Sequence, residues 1–447
     1  MLTENELQSI AERAIKMCDG VDAEILLSSS DSALTRFSEN TITQNVASQG
    51  LGLTVRLIKD GRTGKAETGY VTDEGIRNCI DTAKAVLKVT NPDPEVLPLV
   101  GKQSYKKQET FAAATVDASP ELRADGVVKA IELFKKDGLA GAGIFSSGGS
   151  ASYQANNAGM RAHYATSDAS FSISAMSGDS SGWAESFDHE IGKIDVLKVA
   201  EIAAKKALAG KQPASVEPGA WTVVLEPAAV SDILMFMAWE PFNGLALAEE
   251  RSCFSGKIGQ KVVGENITIT DDCYHPLSIG MPFDFEGSPR KRVPLIENGV
   301  FRGTVHDRRT AKKCGVEDTG HSLPQPNAWG PVPGNMIVSA GNSNLVEMIA
   351  STKHGLLVTR FHYCNLLNPM TMSITGMTRD GLFLIENGKV TKGVKNLRFT
   401  ESILHALANV ESLSKELYRT ETFWGGGGTV VPAMKINDFH FTSKTEN

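Results

Sequence analysis

The sequence predicts an α+β protein of two domains, an N-terminal antiparallel sheet with helices and a large, mostly β C-terminal domain with few helices. A chain of 447 residues is too long for one ordinary hydrophobic core. Its 42 glycines against 18 prolines indicate many turns, as in antiparallel sheets. The segment 210–219 contains Pro213 and Pro218 and few apolar residues, which is typical of a linker. We therefore expect domains at 1–212 and 213–447.

The N-terminal domain is predicted to begin with a helix and continue as a sheet. Thr3 and Glu6 form the pattern of a capping box, in which each side chain accepts a hydrogen bond from a free backbone donor. Apolar residues at helical spacing then follow as far as Cys18. Asp60-Gly61 predicts a turn between strands, and Asp73 opens a second helix. The predicted strands are 21–27, 35–43, 51–58 and 65–71.

The middle of the chain predicts a connector, two helices and a further group of strands. The segment 92–115 is polar and rich in proline, helices are expected at 119–136 and 195–208, and 140–187 is expected to form short strands rich in Ser, Gly and Ala. Beyond the linker, a buried strand is predicted at 221–225 and an apolar helix at about 228–239.

Two stretches of the C-terminal half share an Asn-Gly pair between strand-like residues, at 295–300 and 384–389. Asn-Gly is the strongest local signal for a hairpin turn. The two stretches are either unrelated hairpins or equivalent hairpins of one large sheet, and the sequence leaves both interpretations open.

The composition excludes several classes of protein. A net charge of −7 without a long basic cluster argues against binding to nucleic acid. Six scattered cysteines without a Cys-x-x-Cys pair indicate a reducing compartment. The acidic, amphipathic N-terminus does not resemble a signal peptide, and no apolar run is long enough to span a membrane. We expect a cytoplasmic protein without a membrane or nucleic-acid partner.

Most familiar catalytic motifs are absent, including those for dinucleotides, phosphate loops and nucleophile elbows. None of the nine histidines has another within five positions, so no helix carries the paired histidines of many zinc hydrolases. On a regular strand, His362 and Cys364 would share one face, with His306 or Glu240 as further ligands. The alternative is a hydrogen-bonded imidazole beside a buried thiol.

The second half resembles the TldD/PmbA family, also named modulators of DNA gyrase. The resemblance depends on Trp239-Glu240-Pro241-Phe242-Asn243-Gly244 and on the stretches 254–262, 295–299, 323–327 and 384–389. It implies a two-domain fold that dimerises around an internal cavity. It also implies that a TldD-type subunit holds zinc through a helical His-Glu-x-x-x-His motif and a cysteine near the C-terminus.

By this resemblance, the chain retains only the glutamate of that motif, which is Glu240. The two histidine positions hold Trp239 and Gly244, and the segment 422–424 has no cysteine. The resemblance therefore implies a PmbA/TldE-like member without metal of its own, and zinc in a TldD-type partner.

The expected function is that of the subunit without zinc ligands in a metalloprotease that cleaves or matures unfolded peptides. Its dimer partner would be a TldD-type subunit or a second copy. No catalytic residue is assigned, although the resemblance places Glu240 at the position of the family glutamate. The expected peptide-binding residues are Trp239, Glu240 and Asn243, with His362 and Asn365 on a facing strand. The alternatives are a stand-alone metallohydrolase with a rearranged metal site and a non-catalytic, peptide-binding homodimer.

Overall fold

The structure is a computed structural model that describes residues 1–420 and 428–445. The segment 422–424, where the family cysteine would be expected, lies outside the described residues. The α-helices are α1 (Glu4–Met17), α2 (Asp73–Val89), α3 (Ala113–Val116), α4 (Pro120–Lys136), α5 (Val196–Ala209), α6 (Pro227–Leu234), α7 (Gly244–Ala248), α8 (Arg308–Cys314), α9 (Leu345–Ala350) and α10 (Ile403–Ala408). Short 3-10 helices lie at Ile191–Lys193 and Met235–Ala238.

The strands divide between an N-terminal group and a C-terminal group. The first comprises β1 (Asp22–Ser38), β2 (Thr41–Lys59), β3 (Arg62–Thr68), β4 (Ala140–Asn156), β5 (Arg161–Ser177) and β6 (Ser180–Asp188). The second comprises β7 (Gly219–Leu225), β8 (Ile269–Asp271), β9 (Val293–Glu297), β10 (Val300–Phe301), β11 (Met336–Val338), β12 (His354–Asn368), β13 (Ser373–Glu386), β14 (Lys389–Gly393), β15 (Leu397–Ser402), β16 (Val410–Leu413), β17 (Tyr418–Thr420), β18 (Thr429–Val431) and β19 (Met434–Lys444). This α+β organisation confirms the predicted fold class.

The N-terminal sheet is fully antiparallel, in the order β3-β2-β1-β4-β5-β6. Strands β1 and β2, with 17 and 19 residues, are longer than predicted. The prediction of short strands at 140–187 is wrong, because β4 and β5 are each 17 residues long. Small residues permit this close pairing: a Cβ at Gly143 would lie 2.4 Å from the carbonyl oxygen of Ser172.

Helices α1, α2, α4 and α5 pack on one face of this sheet. Alternate strand residues such as Ile25, Val55 and Phe171 are fully buried beneath them. The predicted capping box at Thr3 is present, with the Glu6 carboxylate accepting from the Thr3 amide. The opposite face, which carries Ser28 and Ser152, is turned toward the C-terminal half.

The C-terminal half contains two sheets. One has the order β10-β9-β8-β11-β18-β17. In the other, β12, β7, β19, β15 and β13 pair in sequence, and β12 also pairs with β13, so these five strands close into a ring. Phe361, Phe399 and Phe439 pack together in the core, with ring centroids 4.6–5.8 Å apart.

Both Asn-Gly pairs form the predicted hairpin turns. Asn298 and Gly299 join β9 to β10, and Asn387 and Gly388 join β13 to β14, all with positive φ. The hairpins belong to different sheets, so the interpretation as equivalent hairpins of one sheet is wrong. The chain leaves α5 at Ala209 and enters β7 at Gly219, and a boundary at 212/213 stays a prediction.

Candidate functional site

The segment 239–244 lies between two short helices rather than inside one. Helix α6 tightens into 3-10 geometry over Met235–Ala238, the next four residues form turns, and α7 begins at Gly244. The continuous helix predicted to reach Trp239 is therefore shorter than expected. Pro241 has no backbone N–H to continue a helical ladder. The spacing of side chains in this segment is consequently not that of a helix face.

Trp239 and Glu240 lie at the surface of this turn. Trp239 is 40% exposed. The Oε2 atom of Glu240 lies 2.5 Å from Nη1 of Arg251, and the same guanidinium binds Glu249 through Nε at 3.0 Å. The Glu240 carboxylate is thus held in an ion pair with Arg251.

Asn243 is buried and acts as the N-cap of α7. Its Oδ1 accepts the N–H groups of Leu245 and Ala246 at 2.8 and 3.2 Å, and its Nδ2 donates to the carbonyl of Trp329 at 2.7 Å. These bonds use the acceptor and one of the two N–H donors of the amide. Peptide binding by Asn243 stays a prediction.

Gly244 packs directly against the imidazole of His306. A Cβ added at Gly244 would lie 2.5 Å from His306 Nδ1, so no larger side chain fits without movement. Nδ1 is buried and has no hydrogen-bond partner among residues 1–420 and 428–445, while Nε2 lies 3.0 Å from the Thr304 hydroxyl. Burial lowers the pKa of His306, which favours the neutral imidazole.

The predicted facing residues lie on β12, where the strand is irregular. Tyr363 has a φ of +51°, and the pairing with β13 shifts register between His362 and Asn365. The regular alternation assumed for His362 and Cys364 is therefore broken. Cys364 packs against the C-terminal core. Burial lowers the pKa of His362, and the positive charges of Arg379 and Arg360 lower it further.

The residues at the family position do not fit a zinc ion. Zinc needs three or four converging N, S or O ligands. In the described residues, the two groups of three side chains that could hold a metal are Glu401/His405/His440 and Asp188/His189/Glu190, and neither includes Glu240, His362 or Cys364. The structure brings Trp239, Glu240 and Asn243 together through the chain, and it places His362 and Asn365 on β12. That the two groups face one peptide site stays a prediction.

A cavity of about 560 Å³ lies between the free face of the N-terminal sheet and the C-terminal half. The sheet contributes small and hydroxyl side chains, and the opposite wall contributes a cluster of polar groups. The principal lining residues are Ser28, Ser150, Ser152, Tyr164, Thr166, Asp168, Phe187, Gly280, Arg290, Asn335 and Arg419.

Charged groups give this cavity its polarity. Burial raises the pKa of Asp168, although Arg419 opposes that effect. The guanidinium of Arg419 stacks 4.6 Å above the ring of Phe187. Nη1 of Arg290 is buried without a hydrogen-bond partner in the described residues, which leaves a donor for a bound carbonyl or carboxylate.

A buried acid–imidazole pair supports the wall of the cavity. His321 Nε2 lies 2.8 Å from Asp271 Oδ1, and the other carboxylate oxygen accepts the N–H of Asn335 at 2.7 Å. Sequence reasoning missed this pair and Arg290, Asp168 and Arg419. They come from separate segments, so no local spacing indicated them.

The class is defined by the α+β fold, in which a cavity lies between the N-terminal antiparallel sheet and a strand-rich C-terminal half. Three family models match the chain: PmbA/TldA metallopeptidase domain 1 over residues 23–87, the central domain over 109–211 and the C-terminal domain over 218–443. The chain therefore belongs to the PmbA/TldD metallopeptidase family.

Named relatives agree with this family. The chain is 28% identical to a metalloprotease TldD homolog of Haemophilus influenzae over 261 residues, 55% of this chain and 53% of that protein. The chain thus spans about half the length of that relative. Identity to the metalloprotease PmbA homolog of the same organism is 23%, over 97% of this chain and 96% of that protein. TldE from Thermococcus kodakarensis has the same fold, with a TM-score of 0.87, 24% identity and coverage of 98% and 99%. No helix among the described residues is long and apolar enough to cross a membrane.

Proposed function

We propose that this chain is the subunit without zinc ligands in a heteromeric metalloprotease, paired with a TldD-type subunit that supplies the metal. The observation that carries the proposal is the ion pair between Glu240 and Arg251. A carboxylate bound to a guanidinium, with tryptophan and glycine in place of both histidines, is a poor zinc ligand and a poor general base. The fold shared with TldE from Thermococcus kodakarensis agrees with this role.

The cavity between the domains is the proposed binding site for an unfolded peptide. Serine and threonine hydroxyls on one wall, and Arg290 and Asn335 on the other, offer donors and acceptors to a peptide backbone. Such contacts recognise the backbone rather than particular side chains, as cleavage of unfolded substrates requires. Contact of the peptide with Trp239, Glu240, His362 and Asn365 stays a prediction.

The proposed contact surface for the partner is the end of the β12–β13 hairpin. Tyr363, Leu367 and Met370 are 70%, 57% and 51% exposed within eight residues of chain. Exposed apolar groups at this density are typical of an interaction surface.

The experiment is co-purification of the full chain with the TldD-type protein of its own cell, followed by an assay on an unfolded peptide. We expect the pair to cleave and the isolated chain to be inactive. Leu367→Asp should reduce the recovered partner at least about 10-fold. The matched control is Val89→Asp at the end of α2, where the valine is 82% exposed.

Two outcomes contradict the proposal. Failure to recover any TldD-type protein would show that the chain does not pair with such a subunit. Peptide cleavage by the isolated chain, abolished by His362→Ala, favours the stand-alone hydrolase with a rearranged site.

A further inference from the structure

Two histidines and two carboxylates lie close together at β15, α10 and β19 in the C-terminal half. They are far in sequence from the segment 239–244. Glu401 is the last residue but one of β15, His405 lies in the first turn of α10, and Asp438 and His440 lie on β19. The Glu401 side chain is 5% exposed, whereas His405 and His440 are 35% and 45% exposed. The imidazole centroids are 5.2 Å apart. The group therefore combines a buried carboxylate with two imidazoles that solvent can reach.

Glu401 fixes the orientation of both imidazoles. Its Oε1 lies 3.1 Å from Nδ1 of His405, and its Oε2 lies 2.8 Å from Nδ1 of His440. The same two oxygens accept the backbone N–H groups of Ser402 and His440, at 2.7 and 2.9 Å. A carboxylate can only accept, so it holds the Nδ1–H of each ring, and a neutral imidazole in this orientation presents Nε2 as a metal ligand.

Both Nε2 atoms point toward one carboxylate, that of Asp438. Nε2 of His405 lies 3.5 Å from Oδ2, and Nε2 of His440 lies 3.9 Å from Oδ1. These separations are long for hydrogen bonds. Two ligands of one tetrahedral zinc lie roughly 3.3 Å apart, because each bond is about 2.1 Å long. Small side-chain movements would therefore bring all three groups onto one ion.

We propose that His405, His440 and Asp438 bind one divalent transition-metal ion, with Glu401 as the positioning residue. A ligating histidine ordinarily donates its second ring N–H to a carboxylate, and here one buried carboxylate serves both histidines. The site does not depend on the proposed partner role, and it places a metal in a chain for which the family resemblance implies none.

The donor set selects the class of ion. Two imidazole nitrogens and one carboxylate suit zinc and its first-row neighbours, whereas calcium and magnesium prefer oxygen ligands alone. Three protein ligands leave a coordination position for water. The ion would join the end of β15, helix α10 and β19, so its binding should stabilise the fold of the C-terminal half.

The test is a titration of the full chain, stripped with a chelator, with zinc alone, by calorimetry and by thermal unfolding. We expect one zinc per chain and a rise in Tm. His440→Ala should weaken binding at least about 100-fold, and Glu401→Gln by about 10- to 100-fold. Cobalt in place of zinc should give an absorption spectrum of imidazole and carboxylate coordination, which His440→Ala abolishes.

The matched control is His189→Ala in the other candidate group, where Lys193 forms ion pairs with Asp188 and Glu190 at 3.6 and 2.7 Å. This variant should bind zinc like the unmodified chain. The proposal is wrong if zinc does not bind, if binding persists in His440→Ala, or if it is lost in His189→Ala or His362→Ala instead. Circular dichroism of each metal-free variant establishes that the fold is retained.

Discussion

The Oε2 atom of Glu240 lies 2.5 Å from Nη1 of Arg251, in the turn that precedes α7. An exposed ion pair of this kind contributes little to stability. Its importance is chemical, because the arginine competes with any other partner for the Glu240 carboxylate. A cation that bound Glu240 would have to displace Arg251.

The packing of Gly244 against His306 gives the first prediction. Gly244→Ala should destabilise the fold by about 1–3 kcal/mol, because the new Cβ would lie 2.5 Å from the imidazole and 2.6 Å from the carbonyl of Val305. Urea unfolding measures the loss. Gly303→Ala is the control, since nothing lies within 4 Å of a Cβ there. Equal stability of the two variants would contradict the packing argument.

Local patterns in the sequence predicted much of the fold. The capping box at Thr3 and the turn at Asn298-Gly299 depend on neighbouring residues, so they could be recognised directly. The irregularity at Tyr363 could not, because the positive φ of this tyrosine accompanies a shift of register between β12 and β13 that no glycine or asparagine marks. The cavity could not be predicted from the sequence either. Asp168, Arg290 and Arg419 come together only because the N-terminal sheet packs against the C-terminal half.

The buried carboxyl of Asp232 gives a prediction about pH. Burial raises its pKa to about 7, although it accepts the N–H of Phe361 at 2.8 Å. Because the folded pKa exceeds the unfolded value, the protonated form contributes stability that is lost as pH rises through about 7. Asp232→Asn keeps the acceptor without the charge. Its stability relative to the unmodified chain should therefore rise between pH ~4 and pH ~7, by up to about 4 kcal/mol.

Urea unfolding at several pH values measures this difference. The control is Asp81→Asn, because Asp81 is exposed on α2 and should show no comparable trend. A constant difference between Asp232→Asn and the unmodified chain across this range would mean that the carboxyl is ionised throughout.

The pair Asp271–His321 gives a prediction about stability. Both side chains are almost completely buried, at 1% and 0% exposure. Despite its burial, the pKa of Asp271 is lowered by the charge and hydrogen bond of His321. His321→Leu should cost about 3–5 kcal/mol, because it leaves a buried carboxylate without its partner. The exposed His354→Leu is the control, and a similar small change in both variants would contradict the argument.

The unpaired donor of Arg290 gives the prediction that bears on substrate. If an unfolded peptide occupies the cavity between the domains, its carbonyl or carboxylate groups should accept from Nη1, which has no hydrogen-bond partner in the described residues. Arg290→Met keeps much of the aliphatic length and removes the donor, so peptide affinity should fall roughly 10-fold or more. The neighbouring Lys291→Met should leave affinity unchanged, because Lys291 is half exposed and bound to Glu317.

Fluorescence anisotropy of a labelled unfolded peptide measures the affinity of both variants. Urea unfolding of each variant separates lost binding from lost stability. If Arg290→Met and Lys291→Met are both stable and bind the peptide equally well, Arg290 does not contact the peptide. That result would favour Trp239 and the β12–β13 hairpin as the peptide contacts.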